Sequence, residues 1–238
     1  MNQKLGSISN SIIEYCRSNR ISTTETADAL EKSGVVAKCK PLNFNHYAVG
    51  QVYPVFTSNG SNFELHEQVR DVPKNHIVMI FTYNCEDLAV IGELVSKFIL
   101  LYRGAAAIVV NGLVRDYSRL RRDNYPIWCE GWTPLGCMNQ EPTDKFPIHL
   151  EKQLREQFDG AIAVCDDGGV TVIEKSKVNL DTLEQLRKME IQEDIWAFCL
   201  NTLKWDTKRI VCDKEYLEDS NLFSKAQQDS LNKLRNRD

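Results

Sequence analysis

Arg115 and Asp116 stand side by side in the segment NGLVRD, directly after the apolar run of residues 105–110. A guanidinium stays charged and presents a planar fork of N–H donors, a shape that holds a carboxylate or a developing enolate oxygen. The carboxylate beside it is a natural oxygen ligand for Mg2+, which commonly takes only one or two protein carboxylates and keeps several waters. A second stretch, Gly92-Glu93-Leu94-Val95, opens a helical pattern. Free backbone N–H groups at a helix start attract anions, and a glycine there lets a ligand approach the main chain closely. Together these groups suit a small 2-oxo acid. Its carboxylate and keto oxygen would chelate the metal, which would act as a Lewis acid on the carbonyl. Each part alone is weak. An Arg-Asp pair on a short helix is ordinarily a solvated pair contributing about 0–1 kcal/mol. The cluster Arg115, Arg119, Arg121 and Arg122 is ordinarily a solvated helix face rather than a phosphate site, and the acids of DDGG at 166–169 are ordinarily turn residues.

These residues need elements to bring them together. STTE at 22–25 is a capping box, and with Gly34 as terminator it predicts a helix over 23–33. YAVGQVYPVFT (47–57) reads as a strand, SNGS as a turn, and NFELHEQ (62–68) as a strand or a helix start. HIVMIFT (76–82) is a short buried strand. Residues 91–104 read as a helix whose Leu94, Phe98 and Leu101 share a side. Residues 105–110 form the next strand, Asn111-Gly112 a turn, 113–123 a short helix and 125–131 a strand. Alternating strands and helices with tight turns predict parallel pairing and an α/β fold. Both helix starts then lie at the carboxyl ends of strands, where open α/β sheets bind ligands. A charged helix (149–160), a hairpin flanking DDGG (161–165 and 170–174) and a helix from 179 to about 205 follow. The tail to 238 reads as polar, charged and only partly helical.

The composition narrows the possibilities. The chain has 238 residues, 42% of them hydrophobic and 26% charged, as in an ordinary globular protein. A net charge of −4 provides no general field for nucleic acid or an anionic membrane. No apolar run is long enough to span a bilayer, and no secretory signal is apparent, so a cytoplasmic protein is expected. The eight cysteines are scattered without a C-x-x-C pair and the four histidines are isolated, so reduced thiols are expected and a zinc site is not. Asn59-Gly60-Ser61 is read as a turn.

The combination of ISTTETADAL, GELVSKFILLYRGAAAIVVNGLVRD and YPIWCEGWTPLG resembles the RraA-like family. That family holds the regulators of ribonuclease E activity and the class II 4-hydroxy-4-methyl-2-oxoglutarate aldolases. AIAVCDDGGVTVIEK is similar to its closing hairpin. The resemblance runs from about Ile21 to Lys175. It implies a single α/β domain of the swivelling ββα type over 1–176, with a helical extension over 177–238 that has no counterpart. It implies a homotrimer or hexamer with sites in clefts between subunits. It also implies substrate contacts from the amides of Gly92, Glu93, Leu94 and Val95, a catalytic and substrate-binding Arg115, and Asp116 as ligand to Mg2+ or Mn2+. Glu93 would orient a metal-bound water that handles the hydroxyl proton. The implied reaction is retro-aldol cleavage releasing pyruvate, with oxaloacetate decarboxylation related through a shared enolate. The alternatives are an oligomeric regulator of a ribonuclease or other partner, and the same scaffold acting on another substrate. Two positions depart from the family pattern. Asn111 replaces an acid, and Arg119 stands where an acid commonly lies. Arg119 either pairs with Asp116 and weakens metal binding or receives a second substrate carboxylate.

Overall fold

A computed structural model describes residues 2–218 and 222–235. The chain divides after Leu180 into two compact units. The first is built on an eight-stranded mixed sheet, β1 (Lys40–Pro41), β2 (Ala48–Ser58), β3 (Ile77–Tyr83), β4 (Ala89–Ile91), β5 (Ala107–Val114), β6 (Ile127–Trp132), β7 (Ile162–Asp166) and β8 (Gly169–Ile173). The spatial order is β1-β6-β5-β3-β2-β7-β8, with β4 paired to β5. The pairs β2–β3, β3–β5 and β5–β6 are parallel, as the alternation of strand and helix predicts, and β7–β8 is the expected hairpin.

The central strands read as continuous apolar runs because both faces of a parallel sheet are covered. Val78, Ile80, Ile108, Val110 and Ile127 enter one core, and Ile77, Met79, Ala107, Val109 and Trp128 enter the other. Neighbouring residues part to opposite faces with the period of two that a pleated strand imposes.

Around the sheet lie α1 (Asn2–Asn19), α2 (Thr23–Ala29), α3 (Phe63–Gln68), α4 (Glu93–Lys97, continued by a π-helical turn Phe98–Tyr102), α5 (Tyr117–Arg122) and α6 (Ile148–Phe158). The capping box forms as expected. Ser22 Oγ accepts from the Glu25 amide at 3.1 Å, and Glu25 accepts from the Ser22 amide at 2.7 Å. The helix closes earlier than Gly34 suggested. Lys32 N–H reaches back to Ala27 O at 2.8 Å, and Glu31 and Lys32 take positive φ before the glycine is reached. Asp166 ties this helix to the sheet by accepting from Thr23 N at 2.8 Å and Thr23 Oγ1 at 2.7 Å. Its other task is the hairpin turn, where it accepts from Gly168 N at 2.8 Å.

Of the two readings open for residues 62–68 the structure contains the helix, and β2 pairs with β3 and β7. Two expectations need correction. The predicted apolar side of 91–104 holds only in part: Phe98 packs against the core, but Leu94 is 76% and Leu101 60% exposed, while Val95, Ser96, Ile99 and Leu100 are buried. The π-helical turn shifts the phase of the later residues, so no single 3.6-residue stripe describes the segment. Asn111-Gly112 is not a turn either. The strand continues to Val114 across a bulge at these residues, with Gly112 at φ 155°, and helix begins only at Tyr117.

The second unit contains most of α7 (Leu180–Asn201) and α8 (Lys225–Arg235). The expected polar tail has a small core of its own, in which Ile195, Cys199, Ile210, Tyr216, Phe223 and Leu231 are buried. Ile195 and Cys199 lie four apart on α7, whereas the tail's own Ile210, Tyr216, Phe223 and Leu231 are too widely spaced along the chain to show a helical period. Among the described residues, no helix is long and apolar enough to cross a membrane.

Candidate functional site

β4 and β5 run parallel, with Ile91 opposite Val114. The residues that follow, Gly92 and Arg115, therefore emerge side by side, and Arg115 N–H donates to Ile91 O at 2.9 Å. The two stretches singled out in the sequence thus converge at adjacent strand ends. Asp116 takes the left-handed conformation, φ 60° and ψ 32°, which aspartate tolerates better than most residues. Its side chain does not cap its own helix. Asp116 Oδ2 instead accepts from the Glu93 amide at 3.0 Å, at the start of α4, and lies 3.9 Å from Arg115 Nε.

Two glycines make this packing possible. A Cβ on Gly92 would collide with Asp116 Oδ2 and sit 2.9 Å from Arg115 Cγ. A Cβ on Gly136 would collide with Arg115 Nη1 and sit 3.2 Å from Cζ. The guanidinium therefore lies against bare main chain at Gly136. That strip is itself fixed: Ala89 N–H donates to Leu135 O at 2.8 Å, and Cys137 N–H donates to Ala89 O at 3.0 Å. In Gly136→Ala the flexible Arg115 tip would yield more readily than the backbone. The melting temperature is expected to change little. Activity in the assay below should fall at least about tenfold, since a misplacement near 1 Å costs up to about a hundredfold.

Gly92, Leu94, Val95, Arg115 and Asp116 line a cavity of about 150 Å3, together with Asn62, His66, Cys137 and Asn139. The last four were not anticipated from sequence. Their signals were the SNGS turn and the TPLG stretch, which meet through Met138 N–H to Gly60 O at 2.8 Å and Asn62 N–H to Met138 O at 3.0 Å. Cys137 is held protonated: a hydrogen bond to Cys85 raises its thiol pKa, and burial adds to this. The same contact lowers Cys85 to about 7, as the Cys137 thiol stabilises its thiolate.

Two residues sit elsewhere than expected. The Glu93 carboxylate turns away from this wall to Arg119, at 3.9 Å. The ion pair formed by Arg119 is thus with Glu93, rather than the Asp116 pair weighed from sequence. Arg119 is largely exposed and borders a second cavity of about 370 Å3, which shares Asp116 with the first. Trp132, stacked on Tyr117 at 4.1 Å between ring centres, forms part of that second wall.

Asp116 is a single carboxylate, and its Oδ1 carries no hydrogen bond among the described residues. No group of three His, Cys, Asp or Glu side chains gathers into a metal cluster among them. One oxygen ligand beside an open cavity fits a hard divalent cation that keeps most of its waters, and does not fit a structural zinc site.

Fold and motif place the chain in a known class. Residues 23–172 match the family described as RraA-like, Aldolase/RraA, and the chain belongs to that family. A protein from Halalkalibacterium halodurans, provisionally named a 4-hydroxy-4-methyl-2-oxoglutarate aldolase, is 25% identical over 175 residues, covering 73% of this chain and 82% of that one. Among solved structures, an uncharacterized protein from Pseudomonas syringae pv. tomato superposes with a TM-score of 0.63 at 19% identity, over 81% of this chain and 93% of that one. RraAS2 of Streptomyces coelicolor, an unusual member of the RNase ES inhibitor RraA family, gives 0.61 at 19% identity, over 78% and 96%. At these identities the structural likeness concerns the fold.

Proposed function

We propose that the chain is a divalent-metal-dependent carbon–carbon lyase that releases pyruvate from a small 2-oxo acid. The observation that carries this reading is the convergence of Arg115, Asp116 and the Gly92 helix start on one cavity of about 150 Å3. When bound at Asp116, Mg2+ or Mn2+ supplies Lewis acidity toward the keto oxygen. Arg115 supplies a fixed positive fork for the substrate carboxylate and for the enolate charge that develops on bond cleavage. Leu94 and Val95 line the same cavity and would offer their amides to the substrate's acid group, while the Glu93 amide is taken by Asp116. Arg119, at the mouth of the neighbouring cavity, receives a second carboxylate when the substrate has one.

The 2-oxo acid in the relative's name, 4-hydroxy-4-methyl-2-oxoglutarate, is the first substrate to try, with oxaloacetate as the second. With Mg2+ present, pyruvate release from either is the expected result, and excess chelator should abolish it. Full turnover in chelator sinks the metal-dependent reading.

A second reading, an oligomeric regulator of a ribonuclease or other partner, draws on a different observation. Phe63, Val69, Leu94, Phe98 and Tyr102 line an apolar groove of about 740 Å3 beside the site, with Leu94 and Tyr102 both more than 70% exposed. Exposed apolar patches of this kind mark interaction surfaces. Self-association as a homotrimer or hexamer through this groove would leave the lyase chemistry in place, so it fits both readings.

A further inference from the structure

Retro-aldol cleavage needs a group that takes the proton from the substrate's C4 hydroxyl and later returns one to C3. The resemblance gave this task to a metal-bound water oriented by Glu93, but the Glu93 carboxylate faces Arg119 at 3.9 Å and is not part of the cavity wall, so it does not orient such a water there. Most side chains in that wall cannot serve. Arg115 stays charged, Asn62 and Asn139 do not titrate, and Cys137 is held protonated by Cys85. Asp116 is committed to the metal in the proposed reading.

His66 remains. It lies on α3, where its N–H donates to Asn62 O at 3.2 Å, and it belongs to the wall of both the cavity and the apolar groove. His46 is bonded to Asn124 and His76 to Lys74 O, whereas the His66 imidazole has no hydrogen-bond partner among the described residues. The charged groups around it are Glu67 and Arg70 from its own segment, Lys97 from α4, and Arg115 and Asp116 across the cavity. An imidazole both takes and gives a proton near neutral pH.

We propose that His66 is the general base and then the general acid of carbon–carbon cleavage in this cavity, acting on a 4-hydroxy-2-oxo acid; the inference rests on the lyase reading. The imidazole takes the proton of the C4 hydroxyl. The O–H electron pair becomes the new C4 carbonyl, the C3–C4 bond breaks, and its electron pair passes into the enolate of pyruvate beside Arg115. The imidazolium then gives its proton to C3, so His66 ends as it began and no outside reductant or oxidant is needed. Decarboxylation of oxaloacetate has no hydroxyl proton to remove, so it draws on His66 only for the final protonation, which water can supply.

The two reactions therefore provide the test. In His66→Gln, the kcat for 4-hydroxy-4-methyl-2-oxoglutarate cleavage should fall about a hundredfold, the lower end of what a positioned acid–base group contributes. The loss in oxaloacetate decarboxylation should be at least about tenfold smaller than that. Added imidazole should restore part of the cleavage activity of His66→Ala. Equal losses in the two reactions, or no loss in either, overturn the assignment of His66 while leaving the lyase reading standing. Failure of the wild-type chain to release pyruvate from both substrates overturns the lyase reading, and this inference with it.

Discussion

Asp116→Asn is expected to lower metal-dependent pyruvate release on the order of a thousandfold while leaving the protein folded. The substitution separates two tasks that this side chain performs. As a structural group, Asp116 holds a left-handed backbone at φ 60° and accepts a 3.0 Å hydrogen bond from the Glu93 amide. Asparagine also tolerates that conformation, and its carbonyl oxygen accepts the same bond. As a chemical group, Asp116 brings the one carboxylate of the proposed cation site. Losing its charge removes most of the cation's hold, and with it the Lewis acid, an effect of several kcal/mol on the transition state. At about 1.4 kcal/mol per decade of rate, a loss near a thousandfold follows. Mn2+ binding, followed by titration calorimetry, should weaken in parallel, and the melting temperature should move little. Unchanged turnover with Mn2+ affinity intact would falsify the role given to this residue.

The parts of the site legible in the sequence were those carried by short-range chemistry. The Ser22–Glu25 capping box, the apolar runs of β3 and β5 and the helix start at Gly92 all depend on near neighbours, and the structure contains each of them. Asn111-Gly112 misled because turn chemistry and bulge chemistry use the same residues. What decides between them is whether strand pairing resumes beyond, and it does, with Leu113 opposite Gly131. The place of Gly136 was not legible for another reason. Its contact with the Arg115 tip depends on residues 135–137 bonding to Ala89, and a single glycine after TPL does not announce that. Arg119 shows the same limit. Helical spacing puts it on the Asp116 face, but the start of α4 brings Glu93 within reach, and the ion pair forms there. Leu94 is a further case: its apolar character suggested core, yet it lies in the wall of both the cavity and the exposed groove.

Arg115→Lys, a substitution that keeps the charge, is expected to cost on the order of a hundred- to a thousandfold in kcat/KM, the range for losing a preorganised donor to a developing oxyanion. The argument rests on shape rather than charge. Arg115 lies against two glycines, with its Cγ beside Gly92 and its guanidinium tip beside Gly136. A planar fork fits such a slot and presents parallel donors to a carboxylate, whereas an ammonium is a compact, strongly hydrated point charge without fixed donor directions. Lysine would therefore keep the long-range attraction for an anionic substrate and lose its orientation. Most of the loss should appear in kcat, with a smaller rise in KM, because the enolate charge is greatest in the transition state. The backbone bond from Arg115 N to Ile91 O does not involve the side chain, so β4–β5 pairing and thermal stability should persist. Guanidinium ion added to Arg115→Ala should recover part of the lost rate if the planar donor is what the site lacks. A lysine variant as active as the wild type would show instead that charge alone suffices at this position, and the slot between the two glycines would then be a packing feature with no part in the chemistry.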